Sequence, residues 1–331
     1  FRSIMHILLL VLIAVVKGLS AHKSPEYVYE KPTVFQIPRI KVEEKDSYIC
    51  MTASLQNLSD TYLVGFDVDV FQEVAHHVTF AACEDDVPTQ RVWDCKKEQG
   101  HLCHGKSIPF GDFDRWSQRH GRINFPEDVS VPLGKANKLN SLIVQIHFKD
   151  EILDPSTMQS NPVNLTLYTT YEGRKNSFQD ITLFSTGYIP PKAKGFKSDV
   201  ACIWSRPPAY LYEYSIHTHF KGIWVEGYII RNNTVTVIAN ADPQKKKHEI
   251  SKTAGGPLMI LPGDILAARC TYDNSDHQKV IFGPAGTDEM CNLDMNFKFR
   301  KEDIQLFEHA LRCSGDAQTK NWCPRYNPNN V

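Results

Sequence analysis

The sequence predicts an all-β protein of the sandwich or jelly-roll kind, built in two halves and stapled by disulfides. Three observations lead there. Short β-branched and aromatic runs are separated by Gly, Pro, Asn and Asp clusters. A polar break falls near the middle, and nine cysteines follow a leader-like start.

Residues 1–21 read as a signal peptide. Arg2 supplies positive charge, Ile7 to Val16 is an unbroken apolar run, and Gly18 to Ala21 offers small residues for cleavage. The run is about half the roughly 20 residues that a spanning helix needs. No second run approaches that length, so no membrane anchor is expected. The mature chain is expected to be secreted or held in the lumen of the secretory pathway and its granules. The sequons at Asn57, Asn164 and Asn232 are candidate glycosylation sites. In that oxidising route cysteines are expected to be bridged, and nine leave one over.

Strands are expected at Tyr62–Phe71, Leu142–Phe148, Leu165–Thr170, Trp224–Ile230 and Thr234–Ile238. The stripe Ile304, Phe307 and Leu311 predicts one helix over Lys301–Arg312. The polar stretch Glu172 to Lys175 divides the chain into an N-terminal domain at 22–173, a C-terminal domain at 174–323 and a tail at 324–331.

Thirty-seven basic residues against 38 acidic ones leave a net charge of −1, which excludes nucleic-acid binding by bulk electrostatics. Lys245 to Lys247 reads as a solvated loop. No Gly-rich phosphate loop or G-x-S-x-G elbow occurs, so nucleotide and α/β-hydrolase chemistry have no support.

The histidines carry the chemical signal. His217 and His219, in IHTHFKG, would share one face of a strand, where side chains repeat every second residue. His76 and His77, in AHHVTF, would face opposite ways on a regular strand. They could meet one metal only at an irregularity such as a bulge. A third candidate follows each pair at nearly equal distance: His147 lies 70 residues after His77, and Met290 lies 71 after His219. Three imidazoles suit copper, zinc or iron; two imidazoles and a thioether favour Cu(I). Structural zinc would more often recruit cysteines. The residues therefore read as two inequivalent copper sites, one per half, although Met290 also fits plain core filling.

SYICM, AHHVTF, VQIHFKD, IHTHFKG, GDILAARCTY and DEMCNL, in that order from Ile37 to Cys313, resemble the copper type II, ascorbate-dependent monooxygenases. Within that family the likeness is to the peptidylglycine α-hydroxylating branch rather than to dopamine β-hydroxylase. The resemblance implies two jelly-roll-like antiparallel β-sandwich domains and two copper ions per chain. His76, His77 and His147 would hold the electron-storing copper. His217, His219 and Met290 would hold the catalytic copper that meets O2 and substrate. Ascorbate would be the reductant. A glycine-extended peptide would be hydroxylated at its terminal glycine α-carbon, the first step toward a C-terminal amide, as in neuropeptide processing. After Cys323 only the short tail remains, so the amidating lyase of the second step is expected to be a separate protein. The resemblance also implies the bridges Cys50–Cys95, Cys83–Cys103, Cys202–Cys313 and Cys270–Cys291, with Cys323 left over.

The substrate residues depart from the family pattern. Gln145 and Asn292 are retained. Ser215 stands where the peptide-hydroxylating enzymes have an arginine for the substrate carboxylate, and Asp294 where they have a tyrosine. Val78 replaces a methionine after the histidine pair. Serine carries no charge, and aspartate repels a carboxylate. Two alternatives follow: the same copper chemistry on another substrate such as a small amine, and a secreted copper-binding protein without catalysis.

Overall fold

The structure is a computed structural model. It describes residues 30–37, 40–56, 58, 61–69, 75–84, 91–97, 107–112, 122–134, 139–148, 150–154, 163–246, 250–307 and 312–318. The leader, Asn57, Cys103 and Cys323 lie outside the described residues. The described residues from Lys31 onward belong to one compact unit. Among the described residues no helix is long and apolar enough to cross a membrane.

The first half contains β1 (Lys31–Ile37), β2 (Ser47–Ser54), β3 (Thr61–Asp69), β4 (Ala75–Cys83), β5 (Val92–Asp94), β6 (Ser107–Asp112), β7 (Ile123–Asn124), β8 (Val131–Leu133), β9 (Ser141–Phe148) and β10 (Val163–Thr170). The second contains β11 (Asn176–Thr186), β12 (Tyr188–Ile189), β13 (Phe196–Ile203), β14 (Ala209–His217), β15 (Gly222–Arg231), β16 (Thr234–Ala241), β17 (Ser251–Lys252), β18 (Leu258–Ile260), β19 (Ile265–Tyr272), β20 (Val280–Ile281), β21 (Asn292–Arg300) and β22 (Arg312–Asp316).

Two sheets face each other in each half. The first half stacks β1-β10-β3-β7, with β8 on β3, against β5-β2-β9-β4-β6. The second stacks β17-β14-β21-β11-β22, with β18 on β14, against β13-β19-β15-β16; β12 and β20 form a separate ribbon. Among the described strands the pairing is antiparallel except between β11 and β22. This is the all-β sandwich architecture that the runs and turns predict.

Alternation builds each core. On β21, Leu293, Met295, Phe297 and Phe299 are buried, while Asn292, Asp294, Asn296 and Lys298 take the opposite face. Each such apolar side chain contributes about 1.5–3 kcal/mol on burial. The first core runs from Val42 to Phe178 and includes Leu63, Phe80 and Ile146. The second runs from Ile181 to Cys313 and centres on Trp204, Leu293 and Phe297. Asn232 and Asn233, both with positive φ, make the tight β15–β16 turn. Asn232 is therefore exposed at a hairpin tip, whereas Asn164 is half-buried on β10 between β1 and β3.

The helix expected over Lys301–Arg312 is corrected. A 3-10 helix spans Lys301–Phe307, and Arg312–Asp316 is a strand parallel to β11. Phe307 stacks on Phe299 with centroids 3.7 Å apart, and Cys313 is bridged to Cys202. Those tertiary ties override the local periodicity.

Cys50–Cys95, Cys202–Cys313 and Cys270–Cys291 are formed, across sequence separations of 45, 111 and 21 residues. Loop closure of that size is worth about 3–5 kcal/mol each in the chain-entropy account. Cys83 is also disulfide-bonded.

The halves are pinned around residues 172–178. Arg174 donates to the Pro126 and Val129 carbonyls at 3.0 Å each, and Asp128 accepts from Asn176 and from Lys298, both at 2.7 Å. Phe178 stacks on Phe125 of the first core. Burial pushes the Asp128 carboxyl up, but the Lys298 ammonium and the Asn176 amide outweigh it and hold it below the usual carboxylate value. A lowered native pKa means that this pair stabilises the fold above the ordinary carboxylate range and is lost as pH falls through the native value. Asp128 is 40% exposed, so screening limits the effect to about 1 kcal/mol. Urea unfolding between about pH 6 and pH 3 should therefore lose part of its acid dependence in Asp128→Asn. An unchanged slope would show that the pair is not linked to folding.

Candidate metal centres

The first set lies on β4 and β9. Across these strands His77 is paired with His147, and the register shifts between Ala75 and His77, so His76 is the extra residue of a bulge. That is the backbone irregularity an adjacent histidine pair needs in order to serve one metal. The side chains of His76 and His77 lie outside the described residues. His147 is buried at 3% exposure, and its ring stacks on Tyr48 with centroids 4.1 Å apart and planes 9° from parallel. Its Nε2 lies 3.3 Å from Asp46 Oδ1. A carboxylate on one ring nitrogen orients the other toward a metal. Here that other atom is Nδ1, which is shielded from solvent. Gln145 lies two residues before His147, and its amide nitrogen is 3.7 Å from Cys50 Sγ and 3.5 Å from Cys95 Sγ. Its polar contacts are thus with the disulfide of its own half.

The second set gathers at the ends of β14 and β21. His217 is the last residue of β14 and is buried, while His219 lies just beyond the strand and is half-buried. Their rings do not form the simple same-face ladder expected of a continuous strand. They meet edge to face, with centroids 5.1 Å apart and planes at 81°. His219 Nδ1 is 2.7 Å from the Asp288 carbonyl. The carbonyl can only accept, so Nδ1 carries the proton and Nε2 keeps its lone pair. Asn292 faces His217 across the sheet, and its amide nitrogen is 3.7 Å from Met290 Sδ. The Cys270–Cys291 bridge and the Tyr272 hydroxyl, which donates to the Met290 carbonyl at 2.7 Å, fix the backbone of that methionine.

Three supporting residues were invisible to motif reading. The Glu289 carboxylate, 1% exposed, accepts from the backbone N–H of His219 at 2.9 Å, of Met290 at 3.2 Å and of Lys221. Burial pushes its pKa up, against the pull of those amides and of His219. Gln244 donates to the carbonyls of His219 and Gly222 and to the Thr218 hydroxyl. Asp288 contributes a backbone carbonyl. Each acts mainly through backbone groups, which leave no residue-type signature. The hint was the place of Asp288 and Glu289 beside Met290 in DEMC.

The polar face of the β11–β21–β14 sheet continues from His217. Thr182, Asp294 and Ser215 stand in one cross-strand row. Thr182 Oγ1 donates to Asp294 Oδ1 at 2.6 Å, and Ser215 Oγ to Oδ2 at 3.4 Å. Asn296 donates to Glu213 at 3.4 Å one step further along. Ser215, Asn292 and Asp294 are thus brought beside His217, while Gln145 belongs to the first half.

Among the described residues no group of three or more His, Cys, Asp or Glu forms a ready metal cluster. The reason is the donor set. The second trio includes a thioether, and two imidazoles of the first lie outside the described side chains. The donor types suit copper: a pair of close imidazoles, one in a set tautomer, and a soft sulfur near the Asn292 amide.

Two family models match the chain. The N-terminal domain of copper type II ascorbate-dependent monooxygenases matches residues 34–154, and the C-terminal domain matches residues 180–306. Peptidyl-glycine alpha-amidating monooxygenase B of Xenopus laevis is 26% identical over 263 residues, covering 78% of this chain and 29% of that protein. Human dopamine beta-hydroxylase is 22% identical over 297 residues, covering 83% of this chain and 47% of that protein. The chain thus spans less than a third of the first relative and less than half of the second. A likeness to the major capsid protein P2 of bacteriophage PM2, with TM-score 0.34 and 9% identity over 82% of this chain and 98% of that one, is too weak to bear on either fold or function.

Proposed function

The chain belongs to the copper type II ascorbate-dependent monooxygenases, and from that premise we propose that it hydroxylates the terminal glycine α-carbon of peptides. The observation that supports the copper reading is the edge-to-face pair His217 and His219, with Asn292, whose amide is 3.7 Å from Met290 Sδ, in register with His217 across the sheet. His217, His219 and Met290 would hold the catalytic copper, and His76, His77 and His147 the second, electron-storing copper. Copper supplies one-electron chemistry and the activation of O2, with electrons from ascorbate.

The protein's own part is orientation. Asp288 sets the tautomer of His219, Glu289 holds the backbone of His219 and Met290 together, and Asn292 lies between His217 and the methionine sulfur. A thioether stabilises the reduced metal, whereas three imidazoles accept both oxidation states. Separate halves keep the two sets apart. Placement in the secretory pathway is supported by the leader-like start and by the disulfides. The two domains at 22–173 and 174–323 would each carry one copper.

A second reading keeps the copper chemistry and changes the substrate. The row Thr182, Asp294 and Ser215 presents a hydroxyl-supported carboxylate next to His217, which favours a cationic amine over a C-terminal carboxylate. Copper-loaded protein with ascorbate should be assayed on a glycine-extended peptide and on a phenylethylamine. Turnover of the amine alone would overturn the peptide reading. Hydroxylated product from either substrate is incompatible with an inert copper carrier. An arginine at 215 would meet Asp294 before any substrate, so Ser215→Arg alone should leave the peptide KM within about twofold. Ser215→Arg with Asp294→Tyr should lower it about tenfold or more, the scale of a charge-assisted hydrogen bond.

A further inference from the structure

We propose that the loop Gly283–Glu289 is a strap that couples the two ligand sets, and that Tyr48 is the positioning residue that fastens it to the first half. Tyr48 stacks on His147 and, with the same side chain, donates its hydroxyl to the Pro284 carbonyl at 3.0 Å. Gly286 comes close alongside: a Cβ on it would sit 3.6 Å from Asp46 Oδ1, the carboxylate oxygen beside His147 Nε2. The loop is therefore fastened to Tyr48 and passes near Asp46, the two residues that orient His147.

The other end holds His219. The Asp288 carbonyl takes the Nδ1 proton, and the Glu289 carboxylate takes the His219 amide. Between the ends the loop is closed on itself. Gly283 N–H donates to the Glu289 carbonyl at 3.0 Å, Asp288 N–H to the Ala285 carbonyl at 2.9 Å, and Ala285 N–H to Asp288 Oδ2 at 3.1 Å. Glu289 N–H is anchored on the Ile281 carbonyl at 2.9 Å. A side chain at 283 would press into the Asp288 carboxylate and displace it from the Ala285 N–H. A turn with this many internal bonds has little slack. Displacement at Pro284 is carried to Asp288 through a few residues instead of being absorbed.

Metal-free protein decides the strap without reference to copper. In Tyr48→Phe the ring and its stack on His147 remain and only the hydroxyl is lost. Amide hydrogen exchange over 283–290 is expected to speed up about fivefold, the scale of one net hydrogen bond, with the same direction at 217–221. Unchanged exchange in both segments overturns the proposal. Gly283→Ala should accelerate the same segments with Tyr48 intact; if it does not, the turn is not the rigid element.

A second arm reads the coupling itself and rests on His147 being a metal ligand. In a Met290→Ala background, copper(II) alone is added to fill the first set. Exchange over 283–290 is expected to slow when Tyr48 is present and to stay unchanged when it is phenylalanine. Equal responses in the two backgrounds overturn the coupling. Absence of bound copper overturns the ligand assignment instead and leaves the metal-free result standing.

Discussion

Met290→Ala is expected to abolish hydroxylation and to reduce bound copper from two per chain to one. The sulfur lies at the end of β21, 3.7 Å from the amide of the residue that faces His217, on a backbone held by a disulfide and a tyrosine. Loss of a residue that merely supports a ligand costs about 10–100-fold in metal affinity or activity, so loss of a ligand should cost at least that. Two further variants separate ligation from packing. Met290→Leu conserves volume and should fold normally, with a stability cost under about 1.5 kcal/mol, yet lose the same copper. Met290→His supplies nitrogen in place of sulfur and should retain copper while disfavouring its reduced form. Copper per chain by elemental analysis, with oxygen uptake in ascorbate, reads all three. Wild-type turnover in Met290→Leu would return Met290 to the role of core filler.

Glu289→Ala is expected to cost about 3 kcal/mol or more in the stability of the metal-free protein and to release the segment carrying His219. Three backbone N–H groups point at this buried carboxylate. Each donor left unsatisfied costs about 1–3 kcal/mol, and water enters a site this closed poorly. Glu289→Gln keeps one acceptor oxygen and turns an amide N–H2 toward the remaining donors, so it should recover part of the loss. Urea unfolding with disulfides intact measures the difference. Alanine and glutamine variants of equal stability, both close to wild type, would show that the amides find other acceptors and that Glu289 is not the clamp.

Much of the candidate site was legible in the sequence because its candidate ligands are rare residue types at short spacing. IHTHFKG and DEMCNL draw attention without any fold. The adjacent pair at His76 and His77 made a definite demand on the backbone, and the bulge in β4 meets it. The supporting groups were not legible. Asp46, Tyr48, Gln244 and Glu289 act on backbone atoms or on rings far away in the chain, and such contacts leave no periodicity. The 3-10 helix at Lys301–Phe307 makes the same point for the fold. Its apolar stripe is real, and Phe307 is buried, but where the element stops is decided by what Phe307 stacks on and by the bridge to Cys202.

Alternation of apolar and polar residues was enough to require stacked antiparallel sheets, since a period of two cannot bury a helix face. Residue chemistry was enough to point to soft and imidazole donors in two candidate sets. Closure of the chain then settled what local pattern could not. His219 leaves the strand and turns its ring edge to His217, Asp294 is supported by hydroxyls from both neighbouring strands, and Pro284 arrives at Tyr48 from 236 residues away. The physical reason is range. Propensity and periodicity act over a few residues, whereas a hydrogen bond or an aromatic stack depends only on distance in space, which loop closure alone determines.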